Sequence, residues 1–527
     1  MEKVFIYDTT LRDGSQGEGI TFSVEDKLKI AQRLDKSGID YIEGGWPGSN
    51  PKDVEFFKSV QSIPMNHAKI AAFGSTRRGN IKPEDDANLR ALIESGTPVI
   101  TIFGKSWDLH VTDALRLPLE ENLNMISDSI KYLKSYDKEV FYDAEHFFDG
   151  YKSNPEYALQ TLKAASDAGA ECLILCDTNG GTLPFEIISI IDAIKASVNS
   201  PIGIHAHNDS DLAVANSITA IQNGAIQVQG TINGYGERCG NANLCSIIPI
   251  LQLKLGKSCV PEESLKQLVS LSNHIDEVAN VVPNDRQPFV GRSAFTHKAG
   301  VHVDAMMKNP LTYEHMKPES VGNARRVLIS ELAGASSIVL KAQRFGVDLT
   351  KKSPETKHVL KQIVDLENKG FSFEGAEASF DLMLQKSVGS YRKLFELKSF
   401  RVIVEQRATD PDPITEATLR VLCRDEEILT VAEGDGPVHA LDNALRKALS
   451  RFYPDELKHI KLTDFKVRVL NAKDGTAAGV RAIVESTDGA SSWNTVGVSA
   501  NIIEASWHAL VDSVEYGLLR LIPKEEI

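Results

Sequence analysis

The sequence predicts an α/β protein: a (β/α)8 TIM barrel, then a helical connector, then a C-terminal α+β domain of two βββα repeats. Three observations carry this. Short, β-rich apolar runs recur eight times at roughly thirty-residue spacing over about the first 250 residues, with amphipathic stretches between them. The pattern breaks near residue 271. An order of three strands and a helix then occurs twice between 396 and 527. The boundaries that follow are 1–270 for the barrel, 271–395 for the connector and 396–527 for the C-terminal domain.

In chain order, the strand candidates are 4–7, 41–43, 70–73, 99–103, 140–142, 172–176, 202–207 and 226–230. Most are continuous apolar runs, as parallel strands covered on both faces require. The intervening segments read as helices. Ser23 with Asp26 resembles a capping box, Leu28, Ile30, Ala31 and Leu34 keep helical spacing, and Gly38 stands where a helix stops. Residues 154–169 repeat that grammar with Ala158, Leu159, Leu162 and Ala165. A doubly wound sheet usually carries a Gly-rich dinucleotide loop after its first strand, and this chain has none, so closure into a barrel is favoured. Residues 281–316 are rich in His, Pro, Asn and Asp and have little periodicity, which predicts an irregular segment. Residues 324–390 return to helical spacing at Leu328, Leu332, Ile338 and Val339, then at Val359, Leu360, Ile363 and Val364. The first βββα repeat ends in a helix bearing Leu441, Ala444, Leu445, Ala448 and Leu449. The second ends in one bearing Ile503, Trp507, Leu510, Val514 and Leu518.

The 527 residues are 42% hydrophobic and 25% charged, an ordinary globular composition that excludes a disordered chain. The formal net charge of -14 argues against a nucleic-acid-binding surface. No apolar run is long enough to span a bilayer, and Met1 leads directly to Asp8 without a leader-like segment. Six scattered cysteines form no C-x-x-C pair. These features predict a cytoplasmic protein with no membrane partner.

A barrel places its chemistry just after the strands. There the chain offers Asp8, Arg12 and Asp13, then Glu43, Glu145, Asp177-Thr178-Asn179, His205 to Asp209, and Asn233 to Asn241. His205 and His207 are two apart on a strand, so both imidazoles enter the barrel while Ile204 and Ala206 face the helices. Two imidazoles in an apolar interior are costly unless they share a proton network or a metal. Asp13 and Asn241 follow strands one and eight, which lie near strand seven once the barrel closes. Arg12 beside Asp13 fits either a salt-bridged turn or a cationic fork for a substrate oxyanion. Glu145 fits a mouth salt bridge, an acid/base or a positioning group. The glycines of 234–241 lack the Lys-Ser/Thr of a phosphate loop; they suit a tight backbone that places Asn241.

DTTLRDG at 8–14, HAHND at 205–209, NGYGERCGNAN at 233–243 and HKAGVHVDA at 297–305 resemble signatures of the acetyl-CoA-dependent Claisen-condensing synthases. That family includes isopropylmalate, homocitrate and citramalate synthases. The stretches 14–31 and 41–53 are similar to its citramalate branch, and the two repeats to its C-terminal regulatory domain. The resemblance implies that Asp13, His205, His207 and Asn241 hold a divalent metal (Mg, Mn or Zn). It implies that Arg12 and Glu145 are catalytic and that Thr178 binds the carboxylate of a 2-oxo acid. His302 and Tyr313 would reach the active site from a second subunit of a homodimer, with Asp304 and Asn309 near the coenzyme A thioester. Pyruvate and acetyl-CoA are the implied substrates, with Glu145 and the His302–Tyr313 pair as alternative bases. Isoleucine is the implied effector. Trp46, Phe73 and Phe103, at or near strand ends, would shrink the pocket to fit a methyl group. The alternatives are a synthase for a larger 2-oxo acid, a retro-aldol lyase of the same superfamily (which usually lacks the βββα repeats) and a non-catalytic metal or amino-acid sensor.

Overall fold

The computed structural model describes residues 2–298, 300–328, 335–344, 349–350, 352–406, 413–470 and 478–522. The chain forms two compact units, Met1–Phe295 with Met316–Ala324, and Thr296–His315 with Arg325–Ile527.

The first unit is a closed barrel of eight parallel strands: β1 (Phe5–Asp8), β2 (Tyr41–Gly45), β3 (Lys69–Ser75), β4 (Val99–Lys105), β5 (Glu139–Glu145), β6 (Cys172–Asp177), β7 (Ile202–Ala206) and β8 (Gln227–Gly230). Closure joins β1 to β8 in a register running from Phe5 opposite Gln227 to Asp8 opposite Gly230. The helix Val24–Lys36 starts at Ser23 in a reciprocal capping box with Asp26, and Gly38 follows its end at φ 80°. Pro155–Asp167 is capped by Asn154, whose side-chain oxygen accepts from Tyr157 N (3.2 Å).

Side-chain parity divides the barrel. One set of strand residues, with Ile42, Ile100, Tyr142, Leu173, Ile204 and Val228 among them, packs against the outer helices. The other set points inward. Its lower layer is an apolar plug containing Tyr7, Tyr41 and Phe141, whose rings meet at 5.0–6.2 Å. Its upper layer, nearer the strand C-termini, is polar and buried: Glu43, Thr101, Asp143, His205 and Gln229. The plug seals one end, so the polar layer faces only the mouth.

The second unit corrects the expectation for 281–316, because Gly300–Lys308 is a helix. Val303 and Met306, three apart, bury against Val327, and so short an apolar row is not visible as periodicity. Two short strands, β9 (Thr296–His297) and β10 (Arg326–Val327), pair in parallel. Helices Ala335–Arg344, Pro354–Asn368 and Glu377–Ser387 form the connector; residues 329–334, 345–348 and 351 of the predicted helical stretch lie outside the described residues. The repeats follow. Strands β11 (Glu396–Glu405), β12 (Ile414–Cys423) and β13 (Glu426–Gly434) form an antiparallel sheet with helix Pro437–Leu449. Strands β14 (Lys461–Val469), β15 (Val480–Thr487) and β16 (Ser492–Ser499) do the same with helix Ile502–Leu521. Each first strand carries its irregularity near its start, between Leu397 and Ser399 and between Leu462 and Asp464. The predicted internal symmetry therefore extends to the bulges.

Candidate active site

The loop after β1 turns back over the barrel mouth and buries Asp13. Its carboxylate Oδ2 lies 3.3 Å from Nε2 of His205 and 4.0 Å from Nε2 of His207, and those two nitrogens are 3.4 Å apart. The three are the cluster of metal-binding type found among the described residues. Burial alone would raise Asp13, but Arg12 and His205 hold it well below the usual carboxylate range. Burial likewise opposes charge on His205, yet Asp13 raises it, while burial and His205 push His207 down to about 3. The Asp13 carboxylate thus favours positive charge at the Nε2 edge of His205, where a bound cation would take the place of the proton.

The surroundings of the cluster suit a cation. Gln229 donates its amide to Asp143 Oδ1 (3.1 Å), so its carbonyl oxygen faces His205. His205 donates from Nδ1 to that oxygen (2.9 Å), which leaves Nε2 with a lone pair at the cluster. Asn241 is paired with His207 in a short antiparallel bridge, and its Oδ1 is buried with no hydrogen-bond partner. Two imidazoles, a carboxylate and an amide oxygen without a partner are donor types that a divalent metal takes. The glycines of this loop do what their spacing predicts. Gly236 (φ 154°) leaves room where a Cβ would strike the Asn241 amide, and Gly240 (φ 89°) lets the backbone pass the Gly234 carbonyl.

The expected ion pair exists, with Arg12 Nη1 at 3.4 Å from Asp13 Oδ2, but it is largely buried and not a surface turn. Arg12 Nε donates to Glu43 Oε1 (2.5 Å), and its guanidinium stacks 3.6 Å from the centre of the Phe73 ring. Glu43 is itself held by Thr9 Oγ1 (2.5 Å) and Tyr7 OH (2.7 Å). Burial disfavours charge on Arg12, but Glu43 and Asp13 more than compensate, so the cation is fixed. Glu145 ends β5 in an ion pair with Lys105, which ends β4, so the expected salt bridge exists in a residue that also lines the cavity. Thr178 Oγ1 accepts from His146 N (2.9 Å) and keeps its hydroxyl proton for another acceptor. Asp143, pushed up to about 7 chiefly by burial, lies beneath them.

Arg12, Asp13, Asp143, Glu145, Thr178, His205 and His207 border one cavity of about 210 Å³. Its apolar wall is Trp46, Phe73 and Phe103, with ring centres 5.5–5.8 Å apart. Trp46 is fixed through Nε1 to Asn88 Oδ1 (2.7 Å). The remaining candidates lie in the second unit: the His302 ring stacks on Tyr313 at 4.3 Å, Asp304 pairs with Lys308, and Asn309 caps the turn 310–312. Sequence reasoning gave no role to Asp143, Lys105 or Gln229. Parity was the available signal, since Asp143 and Glu145 share a face of β5 and Gln229 faces inward on β8.

Three family models match the chain: HMGL-like over residues 3–275, a homocitrate synthase post-HMGL domain-like region over 289–370, and a LeuA allosteric (dimerisation) domain over 374–518. The chain is 57% identical over 518 residues to the (R)-citramalate synthase of Geobacter sulfurreducens, covering 98% of each chain. It is 55% identical to the (R)-citramalate synthase of Aquifex aeolicus, again over 98% of each. The 2-isopropylmalate synthase of Methanocaldococcus jannaschii is 31% identical, over 100% of this chain and 96% of the other.

Proposed function

The chain belongs to the (R)-citramalate synthase family, and from that premise we propose that it condenses acetyl-CoA with pyruvate and water to give (R)-citramalate and coenzyme A. The observation that carries this is the 57% identity across nearly the whole chain, together with a mouth that holds Arg12, the Asp13–His205–His207 cluster and an aromatic wall in one cavity.

In the reaction the acetyl methyl loses a proton and its carbon bonds to the carbonyl carbon of pyruvate. The carbonyl oxygen takes up a proton to become the tertiary hydroxyl, and water cleaves the thioester to free the coenzyme A thiol. Asp13, His205, His207 and Asn241 are the residues to hold the divalent ion (Mg, Mn or Zn). Bound there, it supplies Lewis acidity toward the oxygens of the oxo acid. Arg12, prevented from swinging by Glu43 and Phe73, presents a fixed positive pole where charge develops on the carbonyl oxygen. The Thr178 hydroxyl donates to the substrate carboxylate. Glu145 would accept the methyl proton once Lys105 gives up part of its contact, and the stacked His302–Tyr313 pair is the alternative base, supplied by the second subunit of a homodimer with Asp304 and Asn309 near the thioester. Trp46, Phe73 and Phe103 form the apolar wall of the cavity and would be the groups that favour a methyl over an isopropyl substituent.

Residues 1–270 carry most of the chemistry, 271–395 connect and supply the active-site lid segment that bears His302 and Tyr313, and 396–527 sense isoleucine, the end product expected for this step. Among the described residues no helix is long and apolar enough to cross a membrane, and the cysteines are free thiols. The cytoplasm is the compartment that fits. Thiol release from acetyl-CoA with pyruvate, 2-oxoisovalerate and 2-oxoglutarate tests the assignment. We expect pyruvate to give the highest kcat/KM by at least about tenfold, as the loss of one or two methylene contacts allows. A preference for 2-oxoisovalerate moves the enzyme to isopropylmalate synthesis.

A further inference from the structure

The loop that carries Asn241 is anchored from outside the eight βα units. At its start Asn233 takes a left-handed backbone (φ 63°), and its amide is engaged on every side. Nδ2 donates to Asp276 Oδ1 (2.6 Å) and to the Ser272 carbonyl (3.0 Å). Oδ1 accepts from Ser272 Oγ (2.6 Å) and Gln287 Nε2 (3.0 Å). The Tyr235 hydroxyl donates to the same Asp276 oxygen. Ser272 and Asp276 belong to the helix Leu268–Val278 and Gln287 to the segment after it, and all three are buried.

The far side of the loop hangs on this anchor. The Tyr235 carbonyl accepts from Thr231 Oγ1 (2.7 Å) and from Asn241 Nδ2 (3.1 Å), and Asn241 N donates to the Gly234 carbonyl (3.1 Å). Because the Asn241 nitrogen is committed to Tyr235, its oxygen is turned away from that bond and left without a partner. Any shift of Asn233 or Tyr235 is therefore passed directly to the orientation of Asn241.

We propose that Asp276, acting through Asn233 and Tyr235, is a positioning residue for the Asn241 side-chain oxygen and so for metal affinity at the barrel mouth. This rests on the assignment of Asn241 as a metal ligand. Outer groups that orient ligands commonly change metal affinity by about 10–100-fold.

The test is calorimetric titration of the full chain, stripped of metal, with Mn2+ alone. Asn241→Ala and Asp276→Ala are each expected to weaken Mn2+ binding at least about tenfold, and the double variant no further than Asn241→Ala, because both act on one ligand. Asp276→Asn, whose carbonyl oxygen still accepts from Asn233 and Tyr235, is expected to restore affinity to within about threefold. If Asp276→Ala does not fold, Tyr235→Phe removes one link of the anchor and serves in its place. A variant that melts earlier yet binds Mn2+ like the parent shows the anchor to be structural only and overturns the proposal. If Asn241→Ala itself binds Mn2+ normally, the ligand assignment falls and the proposal with it.

Discussion

The barrel and the C-terminal repeats are both built from strands backed by helices, but they dispose of polar and apolar groups in opposite ways. At the barrel mouth Glu43, Asp143, His205, His207 and Gln229 are all at most 5% exposed, and each is held by another polar group or lies in the metal-binding cluster. In the repeats the sheet–helix interface is mostly aliphatic (Ala417, Leu419 and Val421 against Leu441 and Leu445), while the edge strands leave Val404 and Val469 about half exposed. Burying charge costs free energy unless it is paired, so a region that does so is spending stability on fixed geometry. A region that exposes apolar strand edges gains stability only when something covers them. The mouth gathers buried polar groups around one cavity, and the repeats, which match a LeuA allosteric (dimerisation) domain, present apolar strand edges.

The largest expected effect probes the chemical half of that contrast. His207→Ala should remove bound divalent metal and lower kcat by at least about 10³-fold, the several kcal/mol a Lewis acid supplies, with the far-UV spectrum unchanged. Full activity after chelation and dialysis would remove the metal from the mechanism. In the repeats, a deletion of packing should behave oppositely. Leu445→Ala is expected to cost about 2–5 kcal/mol in the unfolding of that region, read by denaturant titration, while basal turnover is retained. A comparable loss of kcat would erase the distinction.

Subunit complementation sharpens the comparison from the side of 296–315. An Arg12→Ala protein mixed with a His302→Ala protein should recover up to about a quarter of parental activity after exchange, since one hybrid site in two is intact in half of the dimers. No recovery after verified exchange places both residues in one chain's site. The smallest effect is regulatory. Isoleucine should inhibit the intact enzyme with a coupling of about 1–3 kcal/mol, and deletion of 396–527 should abolish the inhibition and leave basal activity. Full activity at millimolar isoleucine, with no heat of binding, leaves the repeats with association alone.

The expected elements appear with their order and type intact, because the signals are local: apolar runs for β1 to β8, a cap at Ser23, helical spacing at Leu441 to Leu449. The inward direction of His205 was equally local, since alternation on a strand needs no tertiary information, whereas the predicted strand runs one residue too far: His207 follows the end of β7 and is held by its bridge to Asn241. The helix Gly300–Lys308 was not legible because its core face is only Val303 and Met306.

By itself, then, the sequence determined which residue types follow the barrel strands and which face a strand residue such as His205 takes, since parity and turn chemistry are properties of neighbouring residues. Only the tertiary structure decided which of them meet. Gln229 reaches Asp143 across 86 residues, Lys105 takes Glu145 across 40, and Asp276 grips Asn233 across 43. Those pairings depend on barrel closure, strand register and the return of the helix Leu268–Val278, which no local pattern encodes. The physical reason is that a buried polar group must find its partner wherever the fold places one, and the cost of leaving it unpaired is felt only once water has gone.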